Sequence, residues 1–154
     1  MKDSRLVIGN KNHSPWSLCP WLLLKMYDIE FEEIQIALYQ DNTAEKLGPY
    51  SPSLKVPVLL HKQTTVWDSL AICEYISETL LQNAAWPTDP KRRAIARSIS
   101  SEIHSEFPSL KEEWPFNCKA SFSQAPSTNL VKEISRVDAI WSNCRYRYGN
   151  NGNY

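Results

Sequence analysis

The sequence predicts a small mixed α/β domain with the element order β-α-β-α-β-β-α, followed by a segment that is helical throughout. Up to residue 81, short aliphatic runs alternate with helix-period patterns, whereas from residue 89 onward only the helix period remains. Apolar residues make up 42% of the 154-residue chain, which is enough to bury a core. We therefore expect two domains, residues 1–82 and residues 83–154.

The first three elements are predicted from two aliphatic runs and the helix-period segment between them. Arg5–Gly9 and Phe31–Ile36 each favour a buried strand. Between them, Ser17 is placed to cap a helix, and Pro20 falls in the first turn of that helix, where its missing N–H costs little. The apolar positions of this helix are Leu18, Trp21, Leu22 and Met26.

The second half of the α/β segment is predicted from its turn residues. Asp41–Leu47 indicates a short helix that ends before Gly48 and Pro49. Pro57–Leu60 and Thr64–Trp67 indicate the two strands of a hairpin. Asp68 then opens a helix whose apolar positions are Ala71, Ile72, Tyr75, Ile76 and Leu80.

The remainder of the chain shows two helical patterns. Asp89 followed by Pro90 is a strong helix start, and the apolar face that follows predicts one long helix bent at Pro108. That face consists of Ile95, Ile99, Ile103, Phe107 and Leu110. A last helix carries Leu130, Ile134, Val137, Trp141, Cys144 and Tyr148.

Composition argues against several classes of protein. Lys and Arg together equal Asp and Glu, at 17 each, so we expect no nucleic-acid partner, which normally requires a basic surface. No apolar run approaches the roughly 20 residues of a membrane span, so we expect no membrane partner. The four cysteines form no C-x-x-C pair, which argues against a metal knuckle or a dithiol. Without an export signal, they suggest the reducing cytoplasm.

Five segments, taken in their order and separation, resemble bacterial-type glutathione S-transferases close to the zeta class. The segments are Asn12–Trp21, Lys55–Leu59, Val66–Ile72, Ala85–Asp89 and Ser101–Phe107. The resemblance covers nearly the whole chain and implies a thioredoxin-like first domain followed by an all-helical one. It also implies an enzyme that uses glutathione as co-substrate, attacks a small electrophile, needs no metal and forms a homodimer.

The chain departs from that family in two respects. Cys19 stands where relatives usually carry Arg, and relatives continue for several more helices after the last predicted helix. We therefore expect a C-terminally truncated chain with an incomplete helical domain. The alternative to an enzyme is a catalytically weak or inactive interaction module. A monothiol oxidoreductase that uses Cys19 is a further alternative, because Cys19 lies near the start of a predicted helix.

Two serines are candidates for stabilising the glutathione thiolate. A thiol of pKa about 8.5 needs roughly 2.7 kcal/mol of preferential stabilisation to lose two pKa units, and one hydroxyl donor supplies about 1.5–3 kcal/mol. Ser14 precedes Pro15, which favours an extended loop conformation, and it matches the family's catalytic serine. Ser17 is the alternative, although helix capping would account for it without any catalytic role.

The resemblance also implies the glutathione-binding residues. A cis bond at Pro57 would turn the backbone of Val56 toward the cysteinyl part of the ligand. The helix start at Ser69 suits the γ-glutamyl carboxylate, and Asp68 suits the ammonium group. Capping of the helix is the ordinary alternative for this pair. Lys55 is a candidate for the glycyl carboxylate, with a solvated surface lysine as the alternative.

Two further residues are candidates for the electrophile pocket. His104 lies on a polar stripe of the predicted long helix with Arg97, Ser101 and Lys111. The resemblance places this helix beside the electrophile, and a surface-facing histidine is the alternative. Trp16 is expected either to roof the same pocket or to pack against its own loop.

Overall fold

The computed structural model describes residues 3–121 and 123–149, and its elements follow the predicted order. The strands are β1 (Ser4–Ile8), β2 (Glu32–Gln35), β3 (Val58–His61) and β4 (Thr64–Trp67). The helices of this α/β part are α1 (Pro15–Met26), α2 (Thr43–Leu47) and α3 (Ser69–Thr79). They are followed by α4 (Pro90–Ser105), α5 (Pro108–Glu113) and α6 (Thr128–Tyr148).

The described strands form one mixed sheet in the order β2-β1-β3-β4. β1 runs parallel to β2, with α1 as the crossover, and antiparallel to β3. β3 and β4 form the expected antiparallel hairpin. Its turn contains no glycine, so Lys62 takes the left-handed φ of 54°. The predicted thioredoxin-like order, with a helical region after it, is confirmed.

The core lies on both faces of this sheet because successive strand residues point to opposite sides. Leu6 pairs with Leu59 on one face, and Val7 pairs with Val58 on the other. The first face is covered by α1 and α3 and is filled by Leu6, Ile8, Leu24, Phe31, Leu59, Ile72 and Ile76. The second face is closed around Leu47 of α2 and contains Val7, Ile36, Leu47 and Val58.

Helix α1 begins earlier than the sequence predicted. Pro15 is its first residue and Ser14 its N-cap, so the prediction that Ser17 caps the helix was wrong. Proline is preorganised for the first helical position, because its φ is already helical and its missing N–H would have no partner there. Pro20 consequently lies inside the helix rather than in its first turn.

The predicted long helix bent at Pro108 is in fact two helices, α4 and α5. Between them, Phe107 adopts a left-handed backbone with φ 66° and ψ 50°. A proline has no N–H and disfavours the α conformation of the residue before it, so the helix ends rather than bends. Glu133 of α6 then accepts hydrogen bonds from the N–H groups of Ser109 and Leu110 at 3.1 and 2.7 Å, which fixes α5 against α6.

Helix α6 begins after Ser127, whose hydroxyl oxygen accepts a hydrogen bond from the Leu130 N–H at 3.1 Å. Leu130 and Ile140 are its buried residues. Trp141, one of the residues that the sequence analysis assigned to this last helix, is 66% exposed. No helix in the described part of the chain is long and apolar enough to cross a membrane.

The segment between α3 and α4 joins the sheet to the helical region. Glu74 of α3 accepts hydrogen bonds from the Trp86 indole N–H at 3.0 Å and from the Arg97 Nε of α4 at 3.1 Å. The predicted domain boundary at residues 82 and 83 falls in this segment and stays a prediction.

Truncating Leu24 should measure how much the packing of α1 on the sheet contributes to stability. Leu24 is fully buried, so Leu24→Ala should lower the free energy of unfolding by about 2–5 kcal/mol. Met26 on the same helix is 78% exposed, and Met26→Ala should change it by no more than about 0.5 kcal/mol. Urea denaturation followed by circular dichroism gives both values, and equal losses would contradict this packing.

Candidate functional site

A cleft with a volume of about 460 Å³ brings the segment before β3, the start of α3 and the helical region together. Most of the predicted site residues line it, whereas Ser14 and Ser17 are not among the lining residues. The lining residues are Trp16, Ser53, Lys55, Val56, Pro57, Trp67, Asp68, Ser69, His104 and Lys111.

The segment before β3 forms one wall of the cleft. The Val56–Pro57 peptide bond is cis, and both residues line the cleft. Ser51 fixes the loop that leads into this peptide bond. Its hydroxyl donates to the Lys55 carbonyl at 2.7 Å and accepts from the Lys55 N–H at 3.1 Å. The Lys55 side chain is exposed at the rim. This wall is therefore set by local hydrogen bonds within the loop.

The start of α3 forms a second wall. Asp68 is the N-cap, and its Oδ1 accepts hydrogen bonds from the N–H groups of Leu70 at 2.9 Å and Ala71 at 3.2 Å. Its backbone takes the uncommon φ of 75°, a conformation that persists only where the surroundings hold it. Ser69, the first residue of the helix, is buried. The ordinary capping interpretation of Asp68 is thus realised, and the residue lines the cleft as well.

His104 and Lys111 reach the cleft from the helical region. The Nε2 of His104 lies 2.9 Å from the Oδ2 of Asp68, and its ring meets Trp16 edge to face at a centroid distance of 5.1 Å. The Nζ of Lys111 donates to the His104 carbonyl at 3.2 Å and lies 5.3 Å from the centre of the Trp16 ring. His104 thus lines the cleft, and its role beside the electrophile stays a prediction.

Ser14 does not line the cleft, and its hydroxyl is directed into the protein. It is 7% exposed, and its Oγ donates to the Oγ of Ser17 at 2.8 Å. Ser17 is fully buried and also accepts the Gly9 N–H at 3.1 Å. A Cβ on Gly9 would lie 3.3 Å from that of Ser14, so this backbone approach is already tight. Burial leaves Ser17 no access to a ligand, whereas rotation about the Cα–Cβ bond of Ser14 would redirect its hydroxyl.

Sequence reasoning missed the cleft positions of Ser53, Trp67 and Lys111. Lys111 was on the polar stripe with His104, but that stripe assumed one continuous helix. Because the helix ends before Pro108, Lys111 lies on a separate helix and reaches back to the carbonyl of His104 instead of continuing along the stripe.

The loop that precedes Ser14 is braced from two sides, which sequence reasoning also missed. The Asn12 side-chain amide donates to Asn117 at 3.2 Å, and the Cys118 N–H donates to the Asn12 carbonyl at 3.4 Å. On the other side, the Lys11 Nζ donates to Glu33 at 2.8 Å. Although partial burial acts in the opposite direction, the hydrogen bonds from Lys11 and Trp21 hold the pKa of Glu33 below its usual value.

A second cavity of about 260 Å³ contains two of the four free cysteines, Cys19 and Cys73. Partial burial and, to a smaller extent, the nearby charges of Cys19, Asp68 and Glu74 raise the pKa of the Cys73 thiol to about 12. Desolvation also raises the pKa of Cys19, although the residue is exposed, and a backbone hydrogen bond acts in the opposite direction. Both shifts disfavour a nucleophilic thiolate and so do not support the monothiol oxidoreductase alternative. The remaining lining residues are Leu22, Leu23, Met26, Ala85 and Trp86.

Within residues 3–121 and 123–149, no three His, Cys, Asp or Glu side chains form a cluster that could hold a metal ion. The polar groups of the larger cleft are instead a carboxylate, two lysines, an imidazole and serine hydroxyls. Such a set suits a charged organic ligand that carries both carboxylate and ammonium groups.

Comparison with known sequences identifies the segment that contains most of this cleft. Residues 13–79 match the family described as glutathione S-transferase, N-terminal domain. A probable maleylacetoacetate isomerase of Caenorhabditis elegans is 34% identical over 97 residues, which are 60% of this chain and 45% of that protein. A probable glutathione S-transferase of Glycine max is 36% identical over 91 residues, which are 58% of this chain and 40% of that protein. The match thus spans less than half the length of these relatives.

Comparison with solved structures extends the similarity into the helical region. A glutathione transferase homologue from Burkholderia, solved with bound glutathione, has a TM-score of 0.66 at 25% identity, over 90% of this chain and 68% of that one. A tau-class glutathione S-transferase from mango has a TM-score of 0.77 at 24% identity, over 98% of this chain and 67% of that one. The latter shows that the two chains share a fold.

Cysteine alkylation should test the environment of the second cavity. At pH 8, a thiol of pKa about 12 has on the order of 1,000-fold less thiolate than one of pKa about 8.5, and only the thiolate reacts. We therefore expect iodoacetamide to modify Cys73 at least about tenfold more slowly than the exposed Cys118. Peptide mass spectrometry over time measures both rates, and equal rates would contradict the burial of Cys73.

Proposed function

This chain carries an N-terminal domain of the glutathione S-transferase family, and on that premise we propose that it binds glutathione and stabilises its thiolate for attack on a small electrophile. The observation that carries the proposal is that the Val56–Pro57 segment and the start of α3 line the same cleft. Its volume, about 460 Å³, lies within the roughly 300–1,000 Å³ typical of small-molecule sites.

In the proposed complex, the two carboxylates, the ammonium group and the cysteinyl backbone of glutathione have partners in the cleft. The γ-glutamyl carboxylate meets the start of α3 at Ser69, where the Ser69 N–H and hydroxyl and the helix dipole favour an anion. The ammonium group pairs with Asp68. The cysteinyl backbone pairs with that of Val56 as an added strand would, and the glycyl carboxylate meets Lys55. The glutathione bound to the Burkholderia homologue supports this choice of ligand.

In the proposed reaction, Ser14 donates its hydroxyl hydrogen to the sulfur. This requires the hydroxyl to leave Ser17, to which it donates at 2.8 Å. A hydrogen bond to a charged acceptor contributes about 1.5–3 kcal/mol, more than a typical bond between neutral groups, so the exchange favours the thiolate. The electrophile then lies beside Trp16 and His104, and the sulfur of glutathione attacks it.

One observation favours the second candidate function, a glutathione-binding module with weak or no catalysis. Ser14 is buried and already bonded to Ser17. If Ser14 kept that bond when glutathione is present, the thiol of glutathione would receive no hydrogen bond from Ser14 and would keep a pKa of about 8.5. Binding through Asp68, Ser69 and Val56 would remain.

The finer features of the family are also proposals for this chain. We propose a homodimer, as the resemblance implies. We further propose a reducing, cytoplasmic compartment, which four unpaired cysteines favour. The identity of the electrophile depends on the surroundings of Trp16 and His104.

Replacing the charge of Asp68 should weaken glutathione binding. Asn is also a good N-cap, so Asp68→Asn retains the helix start while removing the carboxylate that pairs with the ammonium. We expect the Kd for glutathione to rise about tenfold, corresponding to ~1.4 kcal/mol. Isothermal titration calorimetry measures this, with thermal unfolding as the control for stability. An unchanged Kd in a folded variant would show that the Asp68 carboxylate does not bind the ligand's ammonium group.

Replacing Ser14 should distinguish the enzyme from the binding module. If Ser14 stabilises the thiolate, Ser14→Ala should raise the pKa of bound glutathione by about 1–2 units, because one hydroxyl donor is lost. Thiolate absorbance near 240 nm, followed against pH, measures this pKa.

The controls for this experiment are wild type and Ser101→Ala on the exposed side of α4, which should share one pKa. If glutathione bound to the wild type has the same thiol pKa as free glutathione, the binding module without catalysis is favoured. Equal, lowered values in wild type and Ser14→Ala would exclude Ser14 as the donor.

A further inference from the structure

The carboxylate proposed to receive the ligand's ammonium group is already engaged on both of its oxygens. Oδ1 of Asp68 accepts the N–H groups of Leu70 and Ala71, and Oδ2 lies 2.9 Å from the Nε2 of His104. The two partners differ in kind. The first is the fixed backbone of α3, whereas the second is a side chain from a different helix, α4.

The contact with His104 is not needed to orient Asp68. Two backbone hydrogen bonds to Oδ1, at 2.9 and 3.2 Å, already fix the carboxylate at the helix start. Oδ2 is therefore the oxygen left for a ligand, and His104 lies against it. An ammonium group that approaches Oδ2 must displace the imidazole or share the oxygen with it.

The imidazole of His104 is also held from a second side. Its ring packs edge to face against Trp16 at a centroid distance of 5.1 Å. This contact does not involve Asp68, so it keeps the imidazole near Oδ2 when a ligand arrives. Displacing it consequently costs part of the ligand's binding free energy.

We propose that His104 sets the affinity of the cleft for glutathione by competing with the ligand's ammonium group for Oδ2 of Asp68. The inference rests on the proposed function, since it concerns the same site. It assigns His104 the opposite effect from that of a ligand-binding residue: removing the imidazole should tighten binding. Both side chains are partly exposed, at 32% and 44%, so the effect is modest.

The experiment uses S-methylglutathione, whose blocked thiol cannot react, and measures its Kd by calorimetry at one fixed pH. We expect His104→Ala to lower the Kd about two- to fivefold. His104→Gln keeps a side-chain N–H donor, so it should lower the Kd less than His104→Ala does.

Two controls isolate the competition. Arg136→Ala removes the ion pair of Arg136 with Glu102 at 2.6 Å, another contact of α4 that lies outside the cleft, and should bind as wild type does. N-acetyl-S-methylglutathione has no ammonium group, so His104→Ala should not bind it more tightly than wild type.

Weaker or unchanged binding by His104→Ala would overturn the proposal, as would equal tightening toward the acetylated ligand. In either case S-methylglutathione would still bind, and the proposed function would stand. Absence of binding by wild type and every variant would overturn the proposed function itself, and the competition with it.

Discussion

The site depends on the Asp68 carboxylate at the start of α3. The hairpin of β3 and β4 ends one residue before Asp68, and α3 begins one residue after it, so this residue makes the turn from sheet to helix. Its φ of 75° is uncommon for a residue with a side chain. Two backbone hydrogen bonds to Oδ1 hold the carboxylate at the helix start, while Oδ2 meets His104. One side chain therefore fixes a turn, starts a helix and connects the sheet to the helical region.

The sheet determines what can meet at this turn. β3 is paired with β1 on one side and with β4 on the other. The cis Val56–Pro57 segment leads directly into β3, and β4 leads directly into Asp68. Val58 lies opposite Trp67 in the register of these two strands. The loop before β3 and the helix start after β4 are thereby brought to the same end of the hairpin, and a ligand between them can contact both.

The polar groups near the cleft and the thiols of the second cavity occupy contrasting environments. Desolvation raises the pKa of the half-buried Cys73 to about 12 and, in the same direction, that of the exposed Cys19, which disfavours both thiolates. The cleft instead gathers a carboxylate, lysines and a helix start. This contrast favours a reaction in which the protein supplies charge and hydrogen bonds and the reactive sulfur comes from the ligand. Ser14 is buried against Ser17. Whether its hydroxyl bonds the sulfur of the ligand decides between catalysis and binding alone.

The sequence by itself determined the order of the elements and the helix start at Asp68. These features rest on short-range physics: the periods of strands and helices and the preference of Asp for helix starts. The roles of Lys55, Val56 and Ser69 and the cis bond at Pro57 were instead implied by the family resemblance. The same local reasoning misplaced the start of α1, because Ser14 and Ser17 both suit a cap and only packing against Gly9 buries the second.

Local reasoning from the sequence also joined α4 and α5 into one helix. The apolar spacing continues through Phe107, whereas the helical backbone conformation stops there. Only the tertiary structure decided that His104 pairs with Asp68, that Lys111 folds back over it and that Asn12 meets Asn117. Each of these contacts joins residues far apart in the chain. Their approach depends on how whole helices pack, which no local spacing of residues encodes.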